Sequence, residues 1–192
     1  MIELAHPAAL RIGRHIGGSQ KWYKKWYRRF SGCGPCNAAL LCWYLAQTDE
    51  RFAGLCDTGS GGKADFQALM EEMFSFVTPG NRGVDTGEKF AEGLAAFGVR
   101  HGVELQTNLL RLPDGGAADF LVQYLTADRP VAFLNLHSGK VKDLDDWHWM
   151  TVYGYDPDSG TVCYCDQGEG KTFSLSQWQR ETRRGGWFAA VF

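Results

Sequence analysis

The sequence has no apolar run approaching the length of a bilayer-spanning helix, and Met1 to Ile12 holds no continuous apolar stretch long enough for the hydrophobic region of a secretory signal. These absences argue against a membrane-spanning helix and make the cytoplasm the expected location, with export by a route that reads no N-terminal signal left open. The chain also lacks an excess of charge of either sign. Lysine plus arginine number 20 against 22 acidic residues, a formal net charge of -2, so no global field draws the protein to nucleic acid or to an anionic membrane, and any such binding must be local. There is no internal repeat, low-complexity tract or Pro/Ser-rich linker. With 192 residues, 44% of them hydrophobic, the expectation is one globular domain spanning residues 1–192 with its own core. Six cysteines are present, but without an export signal the expected compartment is reducing. Buried, reactive or metal-bound thiols are therefore expected in place of structural disulfides.

What is present falls into two halves with different periods. The first half is helical in spacing. Ser31 to Gln47, SGCGPCNAALLCWYLAQ, runs from turn residues through a proline to apolar residues at helical spacing and predicts a buried central helix. Further helices are expected over Ala64–Val77, Thr86–Phe97 and Ala117–Ala127. The second half is short, β-branched and aromatic: Pro130–Leu136, Trp149–Tyr155, Thr161–Asp166 and Gly186–Phe192 read as strands. Asp156-Pro-Asp-Ser-Gly160 supplies a turn, and Ser174-Leu-Ser-Gln177 reads as a capping box opening a short helix. Helices first and an antiparallel sheet later predict an α+β domain in segregated layers, with a cleft between them.

Gly32-Cys33-Gly34-Pro35-Cys36-Asn37-Ala38 sets a cysteine at the first turn of the central helix. Unpaired backbone N–H groups and the positive end of the dipole favour thiolate over thiol there. The flanking glycines admit a close substrate, and the Cys33 N–H would point where an oxyanion forms. A buried structural cysteine at a helix start fits the same spacing. Cys33-Gly-Pro-Cys36 is also the thioredoxin tetrapeptide, so a thiol-disulfide protein using Cys33 and Cys36 is the alternative chemistry. Its context argues against it. The preceding residues, Lys21-Trp-Tyr-Lys-Lys-Trp-Tyr-Arg-Arg29, are basic and aromatic where a buried strand is required, and Pro79 is not followed by the strand a thioredoxin needs.

The CGP segment opening a buried helix, then a histidine on the strand HWMTVYGYD, then an aspartate closing the next strand together resemble the C39-like branch of the papain-like cysteine peptidases. The order Cys, His, Asp matches over about residues 20 to 166. The resemblance implies a papain-like fold, an N-terminal helical half with a buried central helix packed on a C-terminal antiparallel β-sheet. It also implies a glutamine upstream of the nucleophile that donates its side-chain amide to the oxyanion. Gln20 is the candidate, thirteen residues before Cys33, farther than in papain itself; a solvated loop glutamine is the competing reading.

Of five histidines, His6 and His15 lie in the N-terminal arm and His101 in a polar turn. His137 rivals His148 but has no acidic residue at hairpin spacing behind it. His148 opens a strong strand between Trp147 and Trp149, whose rings can shield a thiolate–imidazolium pair. Asp166, eighteen residues on across one tight turn, is expected to accept the Nδ1 hydrogen of His148 and turn the other nitrogen toward Cys33. Asp145, Asp146 and Asp156 are nearer in sequence; strand alternation disfavours Asp146.

Two other patterns carry competing readings. Lys21 to Phe30 interleaves cations with aromatic residues, as single-strand nucleic-acid binders do. The helical spacing of Trp22/Trp26 and Tyr23/Tyr27/Phe30 makes a core-facing stripe with a solvated basic face the expected arrangement, and nucleic acid is disfavoured. Cys163-Tyr-Cys165 suggests zinc but lacks a second knuckle of the right spacing, so structural packing is expected. The sequence therefore predicts a thiol hydrolase acting on a peptide or protein substrate, with Cys33, His148, Asp166 and Gln20 as site residues and neither metal nor organic cofactor. An inactive peptide-binding relative is the second alternative.

Overall fold

The computed structural model describes residues 1–113 and 115–192. An N-terminal arm contributes β1 (Ile2–Glu3), β2 (Arg11–Ile12) and β3 (His15–Ile16), and the helical half follows with α1 (Arg28–Ser31), α2 (Cys33–Thr48), α3 (Lys63–Met73) and α4 (Gly87–Arg100). β4 (Thr107–Leu112) and α5 (Ala117–Thr126) lead into β5 (Val131–Asn135), β6 (His148–Asp156), β7 (Thr161–Asp166), β8 (Glu169–Ser174), α6 (Leu175–Glu181) and β9 (Gly186–Val191). The main sheet runs β4-β9-β5-β6-β7-β8 with every neighbour antiparallel, and β1 joins β6 at Gly154 and Tyr155. This is the expected α+β layout, a helical half packed on an antiparallel sheet.

α2 is buried on every side from Cys33 to Leu45, as a helix that is apolar all round must be. It lies between α3 and the central strand β6. Trp43 and Tyr44 from α2, Phe133 from β5, Trp149 from β6 and Phe188 from β9 are all fully buried in one continuous core. Each such apolar side chain contributes about 1.5–3 kcal/mol of burial free energy. The four long helices and four strands read from periodicity are present within a few residues of their expected ends. Thr86 caps α4 by accepting from the Lys89 N–H, and Ser174 caps α6 by accepting from the Gln177 N–H.

The segment from Lys21 to Phe30 corrects the sequence reading. It is a 3-10 turn at Gln20–Trp22 and then, after a gap, the single turn of α1, so the helical stripe is interrupted. Tyr23 goes to the core, while Trp26 is 71% and Phe30 78% exposed. The aromatic residues are thus divided between the core and an outer patch. β4 and β8 escaped prediction for a physical reason: each is an edge strand, and β8 (EGKTFS) buries only Phe173, which leaves no apolar alternation to detect.

Candidate active site

The chain enters α2 through Gly32, which joins α1 to α2 without room for a side chain. A Cβ there would collide with the Arg28 carbonyl and the buried Tyr23 ring. Cys33 becomes the first residue of α2, beside backbone N–H groups that have no intrahelical partner. At Gly34 a Cβ would come within 2.8 Å of the Val84 side chain, so small size again lets a second segment close over the helix start. The Cys33 sulfur donates to the Trp147 carbonyl at 4.0 Å. Trp147 lies in the left-handed region, with φ +55, a conformation that costs a bulky residue about 1–2 kcal/mol and that here precedes β6 directly.

His148 opens β6. Thr151 pairs with Cys165 across β6 and β7, which makes Asp166 a diagonal, same-face neighbour of His148 within side-chain reach. The imidazole Nε2 and Asp166 Oδ1 are 2.7 Å apart, both groups buried. Tyr164 pairs with Lys171 across β7 and β8, so Lys171 is diagonal to Asp166 in turn, and its ammonium donates to Asp166 Oδ2 at 3.1 Å. A chain of charges therefore runs across three strands toward Cys33. Sequence reasoning had the carboxylate on Nδ1. The structure engages Nε2 instead, because the ring of a diagonal neighbour reaches across the ladder with its far nitrogen, and Nδ1 is left for the sulfur.

Burial works against a charged His148, but hydrogen bonds to Asp166 and to Cys33, and then their negative charges, outweigh it and push the imidazolium up to about 10. Asp166 also suffers from burial. The hydrogen bond and charge of His148, followed by those of Lys171, win and hold its carboxyl below the ordinary range. Cys36, one turn along α2, is pushed well above an ordinary thiol by burial first, then by the neighbouring Cys33 and Asp166. Burial likewise pushes Cys165 and Cys56 up to about 12. All six cysteines are free thiols.

Cys33 lines two spaces. On its inner side a cavity of about 10 Å³, the room of about one water, is bounded by Gly18, Gln20, Asn37, His148, Asp166 and Gln167, among others. On its outer side opens a groove of about 540 Å³ walled by Phe30, Ser31, Trp147 and the Gly80–Gly83 turn. Gln20 thus lines the same cavity as Cys33. One hydrogen of its amide is given to the Arg29 carbonyl at 2.8 Å, and its Oε1 is buried without a protein partner.

Of the competing residues, all but Asp145 lie elsewhere. His137 accepts backbone N–H groups of Gly139 at 3.1 Å and Arg183 at 3.4 Å through Nδ1, and it lines neither space. Asp146 accepts the Ser138 N–H at 2.6 Å, and Asp156 accepts the Ser159 hydroxyl at 2.6 Å in the β6–β7 turn. Asp145 approaches the site: one ligand-type atom from each of Asp145, His148 and Asp166 lies within 4.8 Å of the others. These three could face a cation, although His148 and Lys171 already occupy both oxygens of Asp166. The cysteines take no part in that group.

The supporting contacts of three residues were not foreseen. Asn37 Nδ2 donates to the Trp149 carbonyl at 2.7 Å, and its Oδ1 accepts the Thr151 hydroxyl. This clamps the helix carrying Cys33 to the strand carrying His148. The available signal was an asparagine one turn after Cys33 inside an otherwise apolar helix. Trp149, stacked on Phe90 at 4.2 Å, donates its indole N–H to the Val84 carbonyl at 2.6 Å. Lys171 had no signal, since β8 itself was not legible.

No family model matches the chain, and no curated protein matches it. Among solved structures it is similar to the Pseudomonas avirulence protein AvrPphB, at 11% identity and a TM-score of 0.38, over 88% of this chain and 96% of that one.

Proposed function

We propose that the chain is a thiol hydrolase of papain-like, C39-like kind that cleaves an amide or isopeptide bond in a peptide or protein through an acyl-enzyme on Cys33. The observation that carries this reading is the alignment of Cys33, His148, Asp166 and Lys171, with His148 held cationic to about 10 between a thiol and a buried carboxylate. In the proposed reaction the Cys33 thiolate adds to the carbonyl carbon. The new oxyanion faces the N–H groups that open α2 and the second amide hydrogen of Gln20. The His148 imidazolium gives its proton to the departing amine, the C–N bond breaks, and the thioester remains. Neutral His148 then takes a proton from water as it attacks the thioester, and the Cys33 thiolate leaves. Asp166 orients the ring throughout and does not itself exchange protons.

The test is labelling with a vinyl-sulfone or epoxysuccinyl probe followed by mass-spectrometric mapping. The expected adduct is on Cys33, lost in His148→Ala and retained in Cys36→Ser. An adduct first on Cys36, or a folded protein in which no cysteine is labelled, would favour the thiol-disulfide or the inactive reading respectively.

A further inference from the structure

The groove in front of Cys33 has a chemistry that bond cleavage alone does not require. Part of its lining is aromatic. Phe30 is 78% exposed and packs edge-on to Trp26 at 5.9 Å, and Trp147, which also lines the groove, is 39% exposed. Large aromatic side chains left in water beside a groove mark a surface that takes a partner. Among the described residues the sole charged one lining the groove is Arg82, itself exposed at the tip of the Gly80–Gly83 turn. A second cation stands close by: the Arg184 guanidinium lies 5.5 Å from the centre of the Trp147 ring. The neighbouring carboxylates stand outside the groove lining. Asp85 binds Lys89 and also feels the charge of Arg82, Asp146 accepts the Ser138 N–H, and Asp145 lies within 4.8 Å of His148 and Asp166. Among the described residues no carboxylate lines the groove.

We infer that this groove selects peptide segments in which an acidic side chain neighbours a bulky apolar one, the carboxylate meeting Arg82 and the apolar group lying on Phe30 and Trp147. The inference rests on the thiol-hydrolase reading for the peptide's being a substrate. The groove's volume of about 540 Å³ falls within the roughly 300–1,000 Å³ typical of ligand sites. Arg82 is exposed, so its pairing is screened by solvent and salt. Selectivity should therefore be several-fold and ionic-strength dependent.

Tripeptidyl vinyl sulfones with phenylalanine at one position, and Glu or Gln walked across the others, provide the measurement. The readout is the rate of adduct formation at Cys33. At one position Glu is expected to react about fivefold faster than Gln at low salt, the factor that about 1 kcal/mol gives. That advantage, read as the ratio of the Glu to the Gln rate, should shrink at high salt and disappear in Arg82→Gln. Equal rates for Glu and Gln at every position, with Cys33 still labelled, would overturn the inference and leave the hydrolase reading standing. Protection of Cys33 by a single-stranded oligonucleotide together with equal Glu and Gln rates would overturn it in favour of a phosphate-binding surface. If no vinyl sulfone reaches Cys33 although iodoacetamide does, the hydrolase reading fails and takes the inference with it.

Discussion

His148 is where the opposing forces of this site meet. Its folded-state proton affinity is raised from the ordinary 6.5 to about 10, so its contribution to stability is fully present below about 6.5 and is lost as pH rises through about 10. Asp166 is shifted the other way, below its ordinary 3.8. Its contribution is present above that value and is lost as pH falls through the lower, folded one. Melting temperature should consequently fall between pH 7 and 10, with a smaller slope in His148→Ala; an identical slope in the two proteins would remove His148 from the account. His148→Ala should also lower the rate of probe labelling by about 10²–10⁴, the usual worth of a general acid–base group, and Asp166→Asn by less, because the imidazole remains. In the proposed function Lys171, which donates to Asp166 Oδ2, positions the imidazole through that carboxylate. Lys171→Met should slow labelling about threefold to tenfold and move the acid limb of its pH profile upward as the Asp166 carboxyl loses a partner. Lys171→Arg should restore the limb, which a merely structural loss would not do.

At the scale of elements, the fold meets the chemistry where α2 touches β6. The Asn37 amide fixes that contact through Trp149 and Thr151. Asn37→Ala leaves a buried hydroxyl without its acceptor and should cost about 1–3 kcal/mol in urea denaturation. The double variant with Thr151→Val should cost less than the two single losses added together, because the two partners share one interaction. Strict additivity would show that the clamp is not a unit. The elements built from buried, periodic residues were legible in the sequence: α2 through its apolar run, and the β6–β7 hairpin through β-branched and aromatic residues around a Pro-Asp-Ser-Gly turn. That hairpin brought His148 and Asp166 together as expected, but only the register revealed which ring nitrogen meets the carboxylate. The edge strands and the N-terminal arm were not legible, because so few of their side chains are buried that no apolar pattern marks them. Lys171 was lost with β8. The aromatic run before Cys33 was misread because spacing alone cannot distinguish a core stripe from a groove rim.

As a whole molecule the chain joins an N-terminal helical layer and a C-terminal sheet through one core that extends from Leu4 to Val191. We propose that residues 1–192 form one domain. Coincident urea transitions by near- and far-ultraviolet dichroism are the expected behaviour, and two separate transitions would contradict it. Among the described residues no helix is long and apolar enough to cross a membrane. The architecture leaves Cys33 between an inner cavity lined by His148 and an outer groove, while burial raises the thiols of Cys36, Cys42, Cys56, Cys163 and Cys165. The most direct test of this arrangement is the rate of iodoacetamide alkylation of each cysteine at about pH 6, well below the ordinary thiol value of about 8.5, in the wild type and in His148→Ala. The account predicts that Cys33 reacts first, and at least about tenfold more slowly once the neighbouring imidazole is removed. An equal Cys33 rate in the two proteins, or earlier reaction at Cys36 or Cys163, would contradict it.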